Sequence, residues 1–298
     1  MATFTYIDLF AGIGGFHQAA DALGGKCIFA SELDAEAKRA YFVNYGLMPD
    51  GDITKIANDE IPDHDVLFAG FPCQPFSIIG NRLGFDDIRG TLFFEIARVL
   101  EAKKPRLFIL ENVKQLSRHN MGKTLQTILH TLEKLGYRVY WDVLNALDFG
   151  LPQKRERTII VGFLDNSVDF LFPINKITGK LEDILEADEC VDEKYFASER
   201  IIEKRLAKHT SDYFPSIWHE NKSGNISSYP YSCALRAGAS YNYLLVNGRR
   251  RLTPREMLRL QGFPDTFQIV CNDGQTRKQA GNAVPVNVIK AVLNEVFL

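Results

Sequence analysis

Three absences narrow what this 298-residue sequence can be. It has no CxxC pair: its five cysteines, Cys27, Cys73, Cys190, Cys233 and Cys271, are odd in number and widely spaced. That excludes a disulfide framework and gives no zinc-ligand pattern, so no metal is expected and a reducing, cytoplasmic setting fits. It has no apolar run near the roughly 18 residues needed to span a bilayer, and no basic-then-apolar leader opens it, so a soluble chain with no membrane partner is expected. It has no excess of positive charge: 35 Lys and Arg stand against 37 Asp and Glu, a formal net charge of -2. Coating nucleic acid by bulk charge is excluded, and any nucleic-acid binding needs positive charge gathered on one face. Internal repeats and low-complexity tracts are absent as well.

What is present suffices for a full core, since 46% of the residues are hydrophobic, and the length suggests one large domain with a smaller one. Residues 3–10 alternate as a strand, run into Ala11-Gly12-Ile13-Gly14-Gly15-Phe16 and continue as a helix from His17. Strand, glycine turn and helix open a nucleotide-type binding unit, where small residues let a ligand approach backbone N–H groups. His17 stands where a dinucleotide GxGxxG would carry its third glycine, which disfavours NAD and FAD. A second strand, residues 26–31, ends at Glu32, twenty positions after Gly12 and placed to accept from ribose hydroxyls. Asp34 reads as the cap of the next helix, and Asp52 as either a cap or a ligand for an adenine amino group.

The apolar strand before Gly70 leads into Phe71-Pro72-Cys73-Gln74-Pro75-Phe76-Ser77. A lone cysteine is more often a small buried hydrophobe than a nucleophile. Here two prolines stiffen the turn beyond a strand's carboxyl end, where α/β sheets bind ligands. The glycine-punctuated stretch 78–90 reads as a loop that closes over a substrate. A further apolar strand ends in Glu111-Asn112-Val113, and a carboxylate there is costly unless paired or protonated. In Gln153-Lys154-Arg155-Glu156-Arg157 the two arginines alternate as on a strand and are expected to share one face. After Leu164 the βα alternation stops, and a second domain of short strands and loops is expected. It ends in a basic run, Arg249 to Arg251, and a helix start at Thr253-Pro254-Arg255-Glu256. Five arginines between Arg249 and Arg259 read as a phosphate-binding patch.

These stretches resemble, in order and over nearly the whole chain, the C5-cytosine-specific DNA methyltransferases, in particular the small bacterial type II modification enzymes. The motifs are DLFAGIGGF at Asp8, FPCQPFS at Phe71, ENV at Glu111, QKRER at Gln153, RRLTPREMLRLQGFP ending at Pro264 and GNAVP at Gly281. The resemblance implies an α/β, doubly wound, Rossmann-like S-adenosylmethionine-dependent domain over residues 1–172, completed by 281–298, and a smaller target-recognition domain over 173–280. It implies methyl transfer to C5 of a cytosine flipped out of a short specific site in double-stranded DNA, through a covalent bond from Cys73 to C6.

Glu111, Arg155 and Arg157 match the residues that hold the base. Phe10, Gly12, Ile13, Gly14, Gly15, Glu32, Leu33, Asp52, Ile53, Pro72 and Asn282 match the cofactor-binding positions. Leu33 stands where some relatives carry tryptophan, and Ala283 where some carry serine. Ile79 stands where a polar residue enters the vacated duplex in one type of relative. A monomer is implied, as is a restriction endonuclease sharing the site without direct contact. Base readers are expected between Tyr213 and Tyr243, with Arg236 one reasonable candidate. An RNA cytosine methyltransferase of the same fold, a nicotinamide oxidoreductase and a non-catalytic DNA-binding regulator are the competing readings. The long stretch 164–247 favours a DNA reader, and the retained Cys73, Glu111 and Arg157 favour activity.

Overall fold

The computed structural model describes residues 4–72, 92–221, 223–238 and 243–297. Cys73, Ile79 and the stretch 78–90, as well as part of the 213–243 region, lie outside the described residues. The chain divides into two compact units. One comprises Met1–Leu144, Glu156–Pro173 and Ile289–Leu298; the other comprises Asn145–Arg155 and Ile174–Val288. Residues 145–155 and 281–288, expected with the first domain, pack within the second unit because their hydrogen bonds are made there.

The first unit contains β1 (Phe4–Leu9), α1 (Gly15–Asp21), β2 (Gly25–Ser31), α2 (Ala35–Tyr45), β3 (Val66–Gly70), α3 (Leu92–Lys103), β4 (Leu107–Val113), α4 (Lys123–Lys134) and β5 (Arg138–Asn145). After the short β6 (Gln153–Lys154) of the other unit comes β7 (Glu156–Phe163). Strand order is β2-β1-β3-β4-β7-β5. β2, β1, β3 and β4 run parallel, and β7 runs antiparallel to β4. β3 and β4 are apolar almost throughout because both faces are covered, as parallel strands require. Ile7, Leu9, Leu67 and Leu110 pack with Phe93 and Ile96 of α3 and Ile128 and Leu132 of α4. The alternate residues Tyr6 and Phe68 meet Phe16 and His17 of α1 on the other face. The side-chain period of two thus sorts one strand's residues between two helical layers.

Local signals fix the helix ends. Asp34 accepts from the amides of Glu36 and Ala37 and starts α2, while Gly46 in the left-handed region ends it. The last helix, α8 (Val286–Phe297), brings Phe297 onto Phe4 with ring centroids 4.4 Å apart. No helix among the described residues is long and apolar enough to cross a membrane.

The second unit holds β6, α5 (Glu199–Lys208), β8 (Ile217–Glu220), β9 (Ile226–Tyr229), β10 (Ser232–Cys233), β11 (Leu245–Val246), β12 (Arg250–Arg251), α6 (Pro254–Leu260) and α7 (Asp273–Asn282). β12-β11-β8-β9 form an antiparallel sheet, and β10 pairs with β6 in parallel. α6 starts at the expected capping box, with Thr253 accepting from Glu256 and Pro254 in the first turn.

The expected phosphate patch is largely an internal network. Arg250 is 1% exposed and forks onto both carboxylate oxygens of the fully buried Glu256, at 2.8 and 2.9 Å. Its third nitrogen reaches Asp188 at 2.6 Å. Arg255 donates to the carbonyls of Pro264 and Phe267, and Arg259 pairs in a fork with Asp265. Arg251 donates to the carbonyl of Lys194, while Arg249 is exposed. Linear clustering of arginines misled because it does not show which acceptors the fold turns toward them, whether near in sequence like Glu256 and Asp265 or distant like Asp188. Glu256 also accepts from the amides of Thr253 and Glu186, so it joins three segments. Glu256→Gln is expected to destabilise the protein by about 3–5 kcal/mol, because it strands a buried guanidinium. Denaturant unfolding of this variant, of Arg250→Met and of the pair tests it: the double variant should lose less than the sum, and additivity would refute the coupling.

Candidate active site

At the carboxyl end of the first unit's sheet, β3 and β4 are in register with Gly70 opposite Glu111. β7 runs back along β4 with Arg157 opposite Val113 and Ile159 opposite Glu111. Arg157 is therefore the diagonal neighbour of Glu111 on one face, a spacing long side chains bridge. The Arg157 Nε lies 2.7 Å from a Glu111 carboxylate oxygen, with side chains only 12% and 10% exposed. The carboxylate expected to need a partner has one. Lys114 and Glu156 pair beside it at 2.5 Å.

One residue of this corner was not singled out by sequence reading. Asn112 is 2% exposed, and its Nδ2 donates to the carbonyl of Phe71 at 2.9 Å. It thereby fixes the buried Phe71 two residues before Cys73, leaving Pro72 exposed. The signal available was a buried amide immediately following a candidate acid, since a buried amide needs a specific partner. Replacing Asn112 by Leu leaves a buried carbonyl unsatisfied and frees the chain leading to Cys73. The expected result is a fall in kcat of roughly 10²-fold with little change in cofactor affinity. Parallel steady-state kinetics and calorimetric cofactor titration check it, and an equal loss in both would place the role of Asn112 elsewhere.

The other strand ends hold a second group. Phe10, just past β1, takes φ 57, a conformation costly for a side chain with Cβ, and its ring is half-buried against the core. Gly12 follows at φ +57, and a Cβ there would meet nothing within 4 Å, so the turn faces open space. Its N–H donates to Glu32 at 2.8 Å, and the other oxygen of Glu32 accepts from Asp34 N at 2.7 Å. Each carboxylate oxygen keeps a lone pair for a further donor. Gly14 at φ +83 has its carbonyl held by the Tyr45 hydroxyl at 3.0 Å, and a Cβ there would strike the Tyr45 ring at 2.3 Å.

Gly15 is buried at the start of α1. Ile13 and Ile53 are buried, so they offer a ligand only their backbone. Leu33 is 75% exposed. Asp52 caps a short turn, accepting from the amide and hydroxyl of Thr54, which hold its carboxyl below the usual range. Arg98 of α3 anchors the same turn through the carbonyls of Ile53 and Ile56. An open glycine turn, a half-buried ring and two carboxylates fit an adenosyl ligand with ribose hydroxyls and an amino group.

Two expected site residues belong to the other unit. Asn282 is the exposed last residue of α7. Arg155 lies between β6 and β7, so the alternation expected to put it on the face of Arg157 is broken. Its guanidinium is 1% exposed and donates to the carbonyls of Leu235, Gly281 and Ala283 at 2.7 to 3.0 Å. Arg155 thus spends its donors on backbone carbonyls of the second unit.

A model of the C-5 cytosine-specific DNA methylases matches residues 4–298. The chain belongs to this family. It is 58% identical over 296 residues to the type II methyltransferase M.HaeII of Haemophilus aegyptius, covering 98% of this chain and 92% of that protein. It is 37% identical to M.HhaI of Haemophilus parahaemolyticus, covering 96% and 92%. The solved structure of a Spodoptera frugiperda DNMT2 mutant shares the fold, with TM-score 0.77, 20% identity and coverage of 99% and 100%. This methylase is thus an enzyme that methylates cytosine in DNA at C5.

One buried acid of the methylase stands apart. Asp8 of β1 is fully buried, and neither carboxylate oxygen has a hydrogen-bond partner among the described residues. Burial, with the charge of Glu32, holds its carboxyl well above the usual range. The folded protein therefore keeps a proton that the unfolded chain releases near pH ~4, and stability is lost as pH rises above that value. Asp8→Asn should gain stability relative to the parent between pH 5 and pH 8. Unfolding midpoints at several pH values read this, and a difference independent of pH would contradict it.

Proposed function

We propose that the first unit binds S-adenosylmethionine at the strand ends around Gly12 and carries out the transfer at the Glu111 corner. The second unit selects the site in duplex DNA. The observation that supports this most is the Glu111–Arg157 pair at 2.7 Å beside the pinned Phe71. It sets an acid and a guanidinium on the strands beside Phe71, which Cys73 follows by two positions in sequence.

Cytosine C5 has no acidic proton, so the ring must first be made nucleophilic. The Cys73 thiolate adds to C6, and the electron pair of the C5–C6 bond moves to C5. Glu111 accepts from the exocyclic amine and shares a proton with N3, offsetting the charge pushed into the ring. Arg157, which cannot lose its proton, holds Glu111 and supports the cytosine carbonyl. When bound, S-adenosylmethionine would supply an electrophilic methyl group, which the electron pair on C5 would take as the methyl–sulfur bond breaks and the sulfonium becomes a neutral thioether. C5 then gives up its proton to a base, the electron pair re-forms the double bond, and Cys73 leaves as thiolate.

On the cofactor side, Glu32 takes the ribose hydroxyls, Asp52 the adenine amino group, Phe10 an adenine face, and Gly12 to Gly15 the methionine portion. The base is rotated out of the duplex at a cost of a few kcal/mol. The type II relatives support a modification role beside a restriction endonuclease, and action on DNA in the cytoplasm. Cys73→Ser should lower methyl transfer to duplex DNA by several orders of magnitude while binding S-adenosylmethionine as the parent does. Incubation with duplex containing 5-fluorocytosine should trap a covalent complex whose adduct maps to Cys73 by mass spectrometry. An adduct on another side chain, or transfer undiminished in the variant, defeats the mechanism.

A further inference from the structure

Arg236 is exposed, yet its backbone is among the most constrained in the second unit. β10 lies along β6 with Ser232 opposite Gln153 and Cys233 opposite Lys154, which lays the following segment beside residues 153–155. The side chain of Gln153 then accepts from Leu235 N at 2.9 Å, and Arg155 donates to Leu235 O at 2.9 Å. The hydroxyl of Tyr243 accepts from Arg236 N at 2.9 Å. On the next peptide, Gly281 leaves room where a Cβ would lie 2.7 Å from the Arg236 carbonyl carbon and 2.4 Å from Ala237 N. Three buried groups and one glycine thus fix this peptide from several sides.

The side chain itself is also held. Its guanidinium lies 4.9 Å from the centroid of the Tyr243 ring, a cation–π position that limits its rotamers, and its fork has no acceptor among the described residues. Other arginines of this unit, Arg205, Arg250, Arg255 and Arg259, spend donors on internal acceptors. A phosphate can be met by a flexible cation, since it accepts from many directions. A base edge demands two donors at fixed positions, and a preorganised fork loses less entropy in meeting it.

We infer that Arg236 reads a guanine of the target sequence through a bidentate contact to its O6 and N7 in the major groove. The inference rests on the second unit being the one that selects the site. Gln153, Arg155 and Tyr243 act on this contact as positioning residues.

The experiment begins by mapping methylated cytosines made by the parent enzyme across a genome, which gives the recognition sequence. Parent, Arg236→Lys, Arg236→Ala and Tyr243→Phe are then assayed on duplexes in which each base pair of that sequence is changed in turn. For the two Arg236 variants, discrimination should fall roughly 5- to 150-fold at one G·C pair and stay as in the parent elsewhere. Tyr243→Phe keeps the ring but loses the hydroxyl that fixes the peptide, and should weaken discrimination at the same pair by less. Calorimetric affinity for S-adenosylmethionine equal to the parent's establishes that the variants are folded.

A uniform fall across all duplexes, with the salt dependence of binding shallower by about one, would make Arg236 a phosphate contact and overturn the inference. An unchanged discrimination profile would overturn it as well. A parent that modifies no duplex would instead remove the reading beneath it, and the two failures are told apart by the first step.

Discussion

The register of β7 against β4 is the constraint on which the Glu111–Arg157 corner depends. Because Val113 faces Arg157 across an antiparallel ladder, the guanidinium falls diagonally beside Glu111, and each compensates the burial of the other. A one-residue slip would turn Arg157 to the opposite face and leave a carboxylate in the sheet with no cation, at a cost of several kcal/mol. The same strand places Asn112 against the Phe71 carbonyl, so β4 serves both neighbours with consecutive residues. Backbone pairing over long separations thus sets side chains to within hydrogen-bonding distance.

Much of this was legible in the sequence, for physical reasons that differ between elements. β3 and β4 stood out because strands buried on both faces are apolar almost throughout. α2 and α6 were marked by Asp34 and by the Thr253–Glu256 box, signals that act within one helical turn. Glu111 was found because its charge contradicts its surroundings. Asn112 was missed because its partner, the Phe71 carbonyl, is 41 positions away and carries no residue-type signature.

The failures have a common cause. Arg155 and Arg157 differ by two positions, and period-two reasoning put them on one face. That holds only inside a continuous strand, and the strand is interrupted at Arg155, whose own amide bonds to Asn145 Oδ1 instead. The arginines from Arg250 to Arg259 looked like a patch because the run does not show that Glu256 within it, Asp265 just beyond it and the remote Asp188 take up their charges. Pattern rules report what a residue does relative to its own segment. They are silent on a partner that arrives from elsewhere.

QKRER illustrates how one short motif can carry two unrelated physical tasks. Its last two residues lie in β7, where Arg157 offsets the Glu111 charge and Glu156 that of Lys114. Its first three belong to the other unit, where Gln153 donates to Leu260 O and accepts from Leu235 N, and Arg155 donates to three carbonyls. Arginine and glutamine suit that second task because each can bond several backbone groups at once without titrating near neutral pH. A lysine at 155 would present one charged point to three acceptors. A fixed guanidinium plane satisfies all three, and so holds Leu235, Gly281 and Ala283 in one arrangement.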